Sequence, residues 1–114
     1  MPTRRVERND WQPYFDRVSR ALPASDVDVE VDGLDLGAQP AVDHLPLQGL
    51  SYDPHDDAFS IVCDNVEHRI ARPREIWIDE DIDQINAIEI VDHDDHKHIA
   101  KLTRALALPP AKSQ

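Results

Sequence analysis

The chain has 114 residues, of which 40% are hydrophobic, and a formal net charge of −11 at pH 7. A chain of this size builds one hydrophobic core, which predicts a single domain over residues 1–114, and no apolar run approaches the roughly 18 residues that span a membrane. The acidic surface repels phosphate backbones and therefore disfavours nucleic acid as a partner.

The first predicted element is a helix over residues 10–22. Asp10 stands at the N-cap position, and Pro23 ends the segment. Apolar side chains recur at the spacing of one helix face, at Trp11, Tyr14, Phe15, Val18 and Leu22. Ser19 is assigned, with Arg17 and Arg20, to the opposite polar face. The apolar face predicts that the helix packs on a sheet.

Residues 26–103 show the alternation of β-strands. Val27, Val29 and Val31 alternate with acidic residues, which is the period-two pattern of a half-buried strand. Residues 41–45 are predicted as a short strand. Gly49 stands where the apolar phase changes, between Leu45 and Leu47 on one side and Leu50 and Tyr52 on the other. This change of phase predicts a β-bulge or a bend.

Turn residues separate the later strands. Residues 53–56 begin with Asp-Pro and predict a type I turn, and Asp64-Asn65 fits a two-residue hairpin loop. Residues 80–86 are predicted as an acidic loop with a helical turn, and residues 104–114 as a loose tail. The strands between the turns are predicted at residues 50–52, 58–63, 66–70, 74–79, 88–92 and 97–103.

Together these elements predict an α+β fold. The N-terminal helix packs on a mainly antiparallel, strongly twisted sheet of five to eight strands, which curls toward a barrel.

Several segments resemble the recurring segments of a known family. They are ERNDWQPYFDRVSRAL, LPLQGLSYDPHDDAFSI, HRIARPREIWIDED and AIEIVDHDDHKHIAKL. The family consists of short, uncharacterised bacterial proteins and is catalogued as a domain of unknown function. The resemblance covers about residues 2–102, and residues 49–54 are its most specific part. It implies a bacterial cytoplasmic protein, and it supplies no activity, substrate or catalytic residue.

The cysteine content and the N-terminus also bear on the compartment. Cys63 is the one cysteine, so no internal disulfide is possible, and the basic N-terminus lacks the apolar run of a secretory signal. Both features predict a reducing, cytoplasmic location. Cys63 could be a nucleophile served by His68 or His44. However, it alternates with apolar neighbours, which favours a buried core position without catalytic function.

The densest group of metal-ligating residue types is His93, His96 and His98 among three aspartates. His96 and His98 are two residues apart on a predicted strand, so their rings would project to one face. Most of the group occupies one turn, and Asp is favoured in turns for backbone reasons alone. The turn interpretation is preferred, so neither a metal nor another cofactor is predicted, and these three histidines are the only candidates for a metal site.

Trp77 provides the main functional hypothesis. It lies between Ile76 and Ile78 and therefore faces the opposite side of its strand. If the isoleucines enter the core, Trp77 is exposed. An exposed tryptophan flanked by Arg72 and Arg74 is typical of a protein interface.

The sequence thus predicts a small acidic protein that is not an enzyme and acts as a protein-interaction or self-associating module, with a protein partner or a homodimer. Two alternatives stay open. One is an acidic inhibitor or immunity-type protein that neutralises a basic partner. The other is a metal-assisted enzyme that uses His93, His96 and His98.

Overall fold

The computed structural model describes residues 3–20, 25–81 and 84–107. A 3-10 turn at Arg8–Asp10 leads into helix α1 (Trp11–Arg20), which is ten residues long. The strands are β1 (Thr3–Val6), β2 (Asp26–Gly33), β3 (Gly37–Asp53), β4 (Ala58–Cys63), β5 (Val66–Ala71), β6 (Pro73–Asp81), β7 (Gln84–Asp92) and β8 (Lys97–Ala107). In the described part of the chain, no helix is long and apolar enough to cross a bilayer.

All eight strands form one antiparallel sheet in the order β1-β6-β7-β8-β2-β3-β4-β5. The α+β prediction with a single helix is therefore confirmed for the described residues. The barrel-like prediction is wrong, because β1 and β5 are free edges and the sheet is not closed. Strand β3 pairs with β2 in its first part and with β4 in its second part, so β4 and β5 continue the sheet beyond it. Strand β5 approaches β8 through side chains and not through backbone hydrogen bonds.

Helix α1 packs on β3 and buries the face that the sequence predicts. Trp11, Tyr14, Phe15 and Val18 are between 0% and 6% exposed, whereas the predicted Leu22 lies outside the described residues. The ring of Phe15 meets the ring of Phe59 edge to face, at 4.9 Å between centroids. This arrangement is the favoured one for aromatic pairs and fixes the helix over β4.

Ser19 does not lie on the polar face of the helix. Its Oγ donates a hydrogen bond to the carbonyl of Leu50 (2.6 Å) and accepts one from the Leu50 amide (3.0 Å). A helix turns by about 100° per residue, so Ser19 lies only about 40° from Phe15, within the buried face. The serine thereby satisfies backbone groups beside the Gly49 bulge. That bulge is confirmed by a register shift between Leu47 and Gly49 in the pairing of β3 with β4.

Arg8 joins three parts of the chain near the start of the helix. Its guanidinium lies 4.5 Å from the ring centroid of Trp11 and donates to the hydroxyl of Tyr52 and to the carbonyl of Pro73, both at 3.0 Å. Tyr52 in turn donates to Asp57 Oδ1 at 2.6 Å. The 3-10 turn, the β3–β4 connection and the start of β6 are thus held together by one charged side chain.

The predicted turns agree with the structure in most places. Residues 54–57 form a turn in which Asp53 Oδ1 accepts from the amide of His55 at 2.9 Å, and Asn65 has the positive φ of a tight hairpin. The predicted loop at residues 80–86 is wrong, because Asp81 pairs with Gln84 and leaves only residues 82–83 between β6 and β7. Glu80 and Asp81 belong to β6.

Two further boundaries differ from the prediction. The short strand expected at residues 41–45 is part of the 17-residue strand β3. The loose tail predicted from residue 104 is wrong for residues 104–107, which belong to β8, and residues 108–114 lie outside the described residues.

Candidate functional site

Trp77 lies on the face of the sheet that the helix does not cover. Ile76 and Ile78 are 0% exposed and belong to the core, whereas Trp77 between them is only partly buried and points the other way. Its indole N–H donates to Glu75 Oε1 at 3.0 Å. The predicted orientation of these three residues is therefore confirmed. We call this side of strands β1, β6, β7, β8 and β2 the outer face.

The neighbours of Trp77 follow from the strand register. Arg5 on β1 and Glu89 on β7 lie directly opposite it, and Ile99 on β8 lies opposite Glu89. An open depression of about 320 Å³ lies beside the indole. Its lining includes Trp77, Ala87 and Ile99 among apolar residues and Asp79, Glu89 and Lys101 among charged ones. The outer face thus mixes apolar and charged side chains, with Glu89 between Trp77 and Ile99.

The structure shows contacts of the two arginines that were predicted beside Trp77. Arg72 forms the corner before β6 with a φ of 51°, and its backbone bonds to Asp57 and His93. The guanidinium of Arg74 pairs with Asp95 in the β7–β8 turn. Arg74 Nε also lies 3.9 Å from Oε2 of Glu75, the residue that accepts the indole N–H of Trp77. The cation opposite Trp77 is Arg5, and the interface role of Trp77 stays a prediction.

Charges on the outer face are arranged in rows along the strands. Strand β2 presents three carboxylates, at Asp28, Glu30 and Asp32, and the adjacent β8 presents Lys97 and Lys101. A hydrogen bond with Asp32, together with the repulsion of its charge, raises the pKa of Glu30 above its ordinary value. Among the described residues, Arg5, Lys97 and Lys101 form no ion pair within 4.0 Å. These three cations keep their capacity to pair with carboxylates of another molecule.

A second group lies on the inner side of the sheet, where two imidazoles meet. His68 Nε2 on β5 is 2.9 Å from His98 Nδ1 on β8, and His98 Nε2 is 2.9 Å from Asp92 Oδ2. His98 and Asp92 are 8% and 9% exposed. The other carboxylate oxygen of Asp92 accepts from the backbone amides of Asp94 (2.8 Å) and His96 (3.1 Å). We call His68, His98 and Asp92 the histidine chain.

The electrostatics of the histidine chain follow from its contacts. Burial is the largest influence on Asp92 and works to raise its pKa, but the hydrogen bonds from His98 and from the two backbone amides outweigh it, and the pKa of Asp92 is lowered. Burial, and then the charge of His98, lower the pKa of His68. The lowered pKa of Asp92 favours its carboxylate form, and the lowered pKa of His68 means that its imidazole resists protonation.

The three candidate metal ligands do not converge on one point. His93 is exposed, the His96 ring lies 2.9 Å from Asp35, and His98 belongs to the histidine chain. His96 and His98 do both approach Asp92, with His96 Nδ1 at 3.9 Å. In the described part of the chain, the group with three potential ligand atoms within 4.8 Å of one another is Asp28, Asp43 and His44.

The Asp28, Asp43 and His44 group is satisfied internally. His44 Nδ1 lies 2.8 Å from Asp28 and 3.0 Å from Asp43, and the His44 amide donates to Asp28 at 2.7 Å. The hydrogen bond with Asp43, and then the attraction of Asp28, raise the pKa of His44. The His44 ring between two carboxylates accounts for this cluster without an ion.

Cys63 occupies the core as the sequence predicts. It is 2% exposed, and burial raises the pKa of its thiol, so the reactive thiolate is disfavoured. The ring of His68, which was considered as its base, bonds to His98.

The histidine chain was not predicted from the sequence, although one signal points to it. His68 shares its phase with Val66 and Ile70 on β5, so alternation directs its ring inward. A polar side chain at an inward position requires a buried partner. No local pattern identifies that partner as His98, because 30 residues separate the two rings.

The sequence as a whole is similar to known proteins. Residues 2–111 match a family of unknown function, DUF5335. This chain belongs to DUF5335. An uncharacterized protein of Aquifex aeolicus (strain VF5) is 39% identical over 110 residues, which cover 96% of this chain and 99% of that protein. No solved structure matches the chain. The predicted resemblance to a family of uncharacterised bacterial proteins is confirmed.

Membership of DUF5335 brings no activity with it, because the family is one of unknown function and the Aquifex protein is uncharacterized. The match does extend over every described strand of the sheet. The chemistry of the outer face and of the histidine chain is what this DUF5335 protein offers for a functional proposal.

Proposed function

We propose that this DUF5335 protein is a non-enzymatic, self-associating module, and that two copies meet through the outer face around Trp77. The observation that carries the proposal is a partly exposed tryptophan in an open sheet face, beside the side chains of Ala87 and Ile99. Tryptophan is among the residue types that contribute most to binding when a partner excludes water from them.

The charge pattern supports a second copy as the occupant. On the β2 side, Lys101 lies opposite Asp28 and Lys97 lies opposite Asp32. On the β7 side, Glu89 lies opposite Ile99, which stands between the two lysines on β8. A two-fold axis brings the same face of both molecules together, and a modest offset then places a basic row of one copy over an acidic row of the other. Arg5, Lys97 and Lys101 are free to form such pairs.

The size of the face limits the affinity. Five strands about 4.8 Å apart, with about five residues each at ~3.3 Å, give roughly 400 Å² of projected area. This is about half of the roughly 800 Å² that each partner buries in a standard stable interface. The expected dimer is therefore weak, with a dissociation constant in the micromolar range or above.

Sedimentation equilibrium of the full chain from about 10 μM to 1 mM tests the proposal. The wild-type protein is expected to show a monomer–dimer equilibrium that Trp77→Ala shifts at least tenfold toward monomer, while its circular dichroism spectrum is unchanged. Val66→Ala is the matched control, because Val66 is an exposed apolar residue (40%) on β5, away from the outer face. It should dimerise like the wild type.

A salt series and a charge-swap experiment test the role of charge in the dimer. Raising the salt from about 10 mM to 150 mM shortens the Debye length from about 30 Å to 8 Å, which screens the repulsion between two molecules of charge −11. Added salt should therefore strengthen the dimer. If Lys101 pairs with Glu89 of the other copy, Lys101→Glu and Glu89→Lys each weaken the dimer and the double variant restores it.

A monomer at every concentration and salt level would refute self-association. Dimerisation of Trp77→Ala with wild-type affinity would place the contact elsewhere. Tight capture of a strongly basic protein that weakens with salt, without any homodimer, would support the acidic-inhibitor alternative instead.

A further inference from the structure

We propose that the imidazole pair of His68 and His98 is an acid-sensitive link between the edge strand β5 and strand β8, intact while either ring is neutral and broken when both rings are charged. The inference is independent of the proposed dimer, because the pair lies on the inner side of the sheet. It rests on the 2.9 Å separation of the two facing nitrogens and on the position of β5 at a sheet edge.

The positions of the protons follow from the contacts. Asp92 is a carboxylate and can only accept, so His98 Nε2 carries the proton of their 2.9 Å bond. Neutral His98 then has a lone pair on Nδ1, and His68 donates to it through its Nε2–H. These tautomers are assigned from the hydrogen-bond network.

One added proton leaves the link in place. It either resides on His68 Nδ1, with the Nε2–H still donating, or it resides on His98 Nδ1, which then donates to the other tautomer of His68. Two added protons charge both rings, and both facing nitrogens then carry hydrogen. At 2.9 Å this arrangement has no acceptor and brings two cations into contact.

The charged surroundings determine which ring resists the second proton. On β7, Asp92 is the carboxylate that accepts from His98 Nε2. On β8, His96 lies 3.9 Å from Asp92 but is itself paired with Asp35. On β4, Ile61 lies opposite His68 and offers no charge. His68 therefore receives only the repulsion of His98 and the cost of burial.

On β5, the charged neighbours of His68 have other partners. Glu67 accepts from Ser60 at 2.8 Å, and Arg69 pairs with Asp56 at 3.2 Å. Neither residue offers His68 a compensating charge. Once His98 is charged, protonation of His68 is thus the step that breaks the link.

Because β5 is an edge strand, breaking the link opens β5 and leaves the other strands in place. β5 pairs with β4 on one side only, and Ile70 is its one fully buried side chain. With so little apolar burial, the strand depends on the link to β8 more than an interior strand would. In contrast, β6 and β7 are anchored by Ile76, Ile78, Ile88 and Ile90, all at most 1% exposed.

The direction of the pH dependence follows from the linkage between proton binding and the opening of β5. A histidine with a lowered folded-state pKa stabilises the closed form above its ordinary value near 6.5, and this contribution is lost as the pH falls through the folded-state pKa. The equilibrium constant for opening β5 then rises by up to about tenfold per pH unit for each proton taken up.

Hydrogen exchange of the full chain, in the presence of a metal chelator, measures this opening. Protection factors of the β5 amides that bond to β4 should fall about tenfold between pH 7.5 and 5.0, whereas those of β7 should change less than threefold. His68→Gln should remove the pH dependence and keep the protection, because the glutamine amide can donate to neutral His98 or accept from charged His98. His68→Leu should lower β5 protection equally at both pH values.

His93→Gln is the matched control, because this exposed ring lies in the adjacent turn; it should behave like the wild type. Equal β5 protection at both pH values in the wild type would overturn the proposal. So would a pH dependence that persists in His68→Gln, or a loss of protection in β5 and β7 together. A pH dependence that appears only without the chelator would indicate a bound metal ion and overturn it as well.

Discussion

Replacing Phe15 by alanine tests the packing of the helix on the sheet. Phe15 is 0% exposed and contacts two rings edge to face, Phe59 at 4.9 Å and Tyr14 at 5.1 Å between centroids. Phe→Ala substitutions in cores cost about 3–5 kcal/mol. Each edge-to-face pair contributes about 0.5–1.5 kcal/mol beyond area burial, which favours the upper part of that range. We expect a loss of about 4–5 kcal/mol.

Urea denaturation followed by far-UV circular dichroism measures this loss. With an m-value of about 1.5 kcal/mol/M, a loss of 4–5 kcal/mol lowers the midpoint by about 3 M. Domains of this size are stable by about 5–15 kcal/mol, so Phe15→Ala can fall below the folding threshold. Phe15→Leu is the fallback variant: it stays apolar but loses both edge-to-face pairs, with an expected cost of about 1–3 kcal/mol.

Gln12→Ala provides the control for helix propensity. Gln12 is exposed on the same helix, so its substitution should change the free energy of unfolding by less than about 0.5 kcal/mol. A loss below about 1 kcal/mol for Phe15→Ala would refute the reasoning. It would mean that the helix contributes little to the core and that the sheet folds without it.

Three further predictions follow from single contacts. Ser19→Ala should cost about 1–3 kcal/mol in urea denaturation, because it leaves the Leu50 amide and carbonyl without their partner. Asn65→Val should cost about 1–2 kcal/mol, because a β-branched residue opposes the φ of 63°, whereas Asn65→Gly should not destabilise the hairpin. The raised pKa of His44 stabilises the fold fully below pH 6.5, and this stabilisation is lost as the pH rises through the folded-state pKa. The free energy of unfolding of His44→Gln, measured against pH, should therefore lack this loss.

The strand pattern could be predicted because alternation is a local property. The phase change at Gly49 and the opposite orientations of Trp77 and Ile76 follow from counting residues in steps of two, and the structure agrees. The acidic residues Glu80 and Asp81, which predicted a loop, belong to β6 instead. Strands with one face in water tolerate charges at alternate positions, so acidity alone does not indicate a loop.

What the sequence could not predict depends on distant contacts. Closure of the sheet is decided by whether the edge strands β1 and β5 meet, and no local pattern encodes that distance. Arg8 illustrates the same limit, since its partners Tyr52 and Pro73 are 44 and 65 residues away. Periodicity assigns a side chain to a face and does not identify what it meets there.

The two proposals can be tested separately because alternation places their residues on opposite sides of β8. His98 points inward, and Lys97 and Ile99 on either side of it point to the outer face. His68→Gln should therefore leave the dimer dissociation constant within about twofold of the wild type between pH 7.5 and 5.0. Trp77→Ala should leave the pH dependence of β5 hydrogen exchange unchanged. If His68→Gln instead alters the dimer by tenfold or more, the open edge at β5 belongs to the contact surface, and dimerisation through the outer face alone would be wrong.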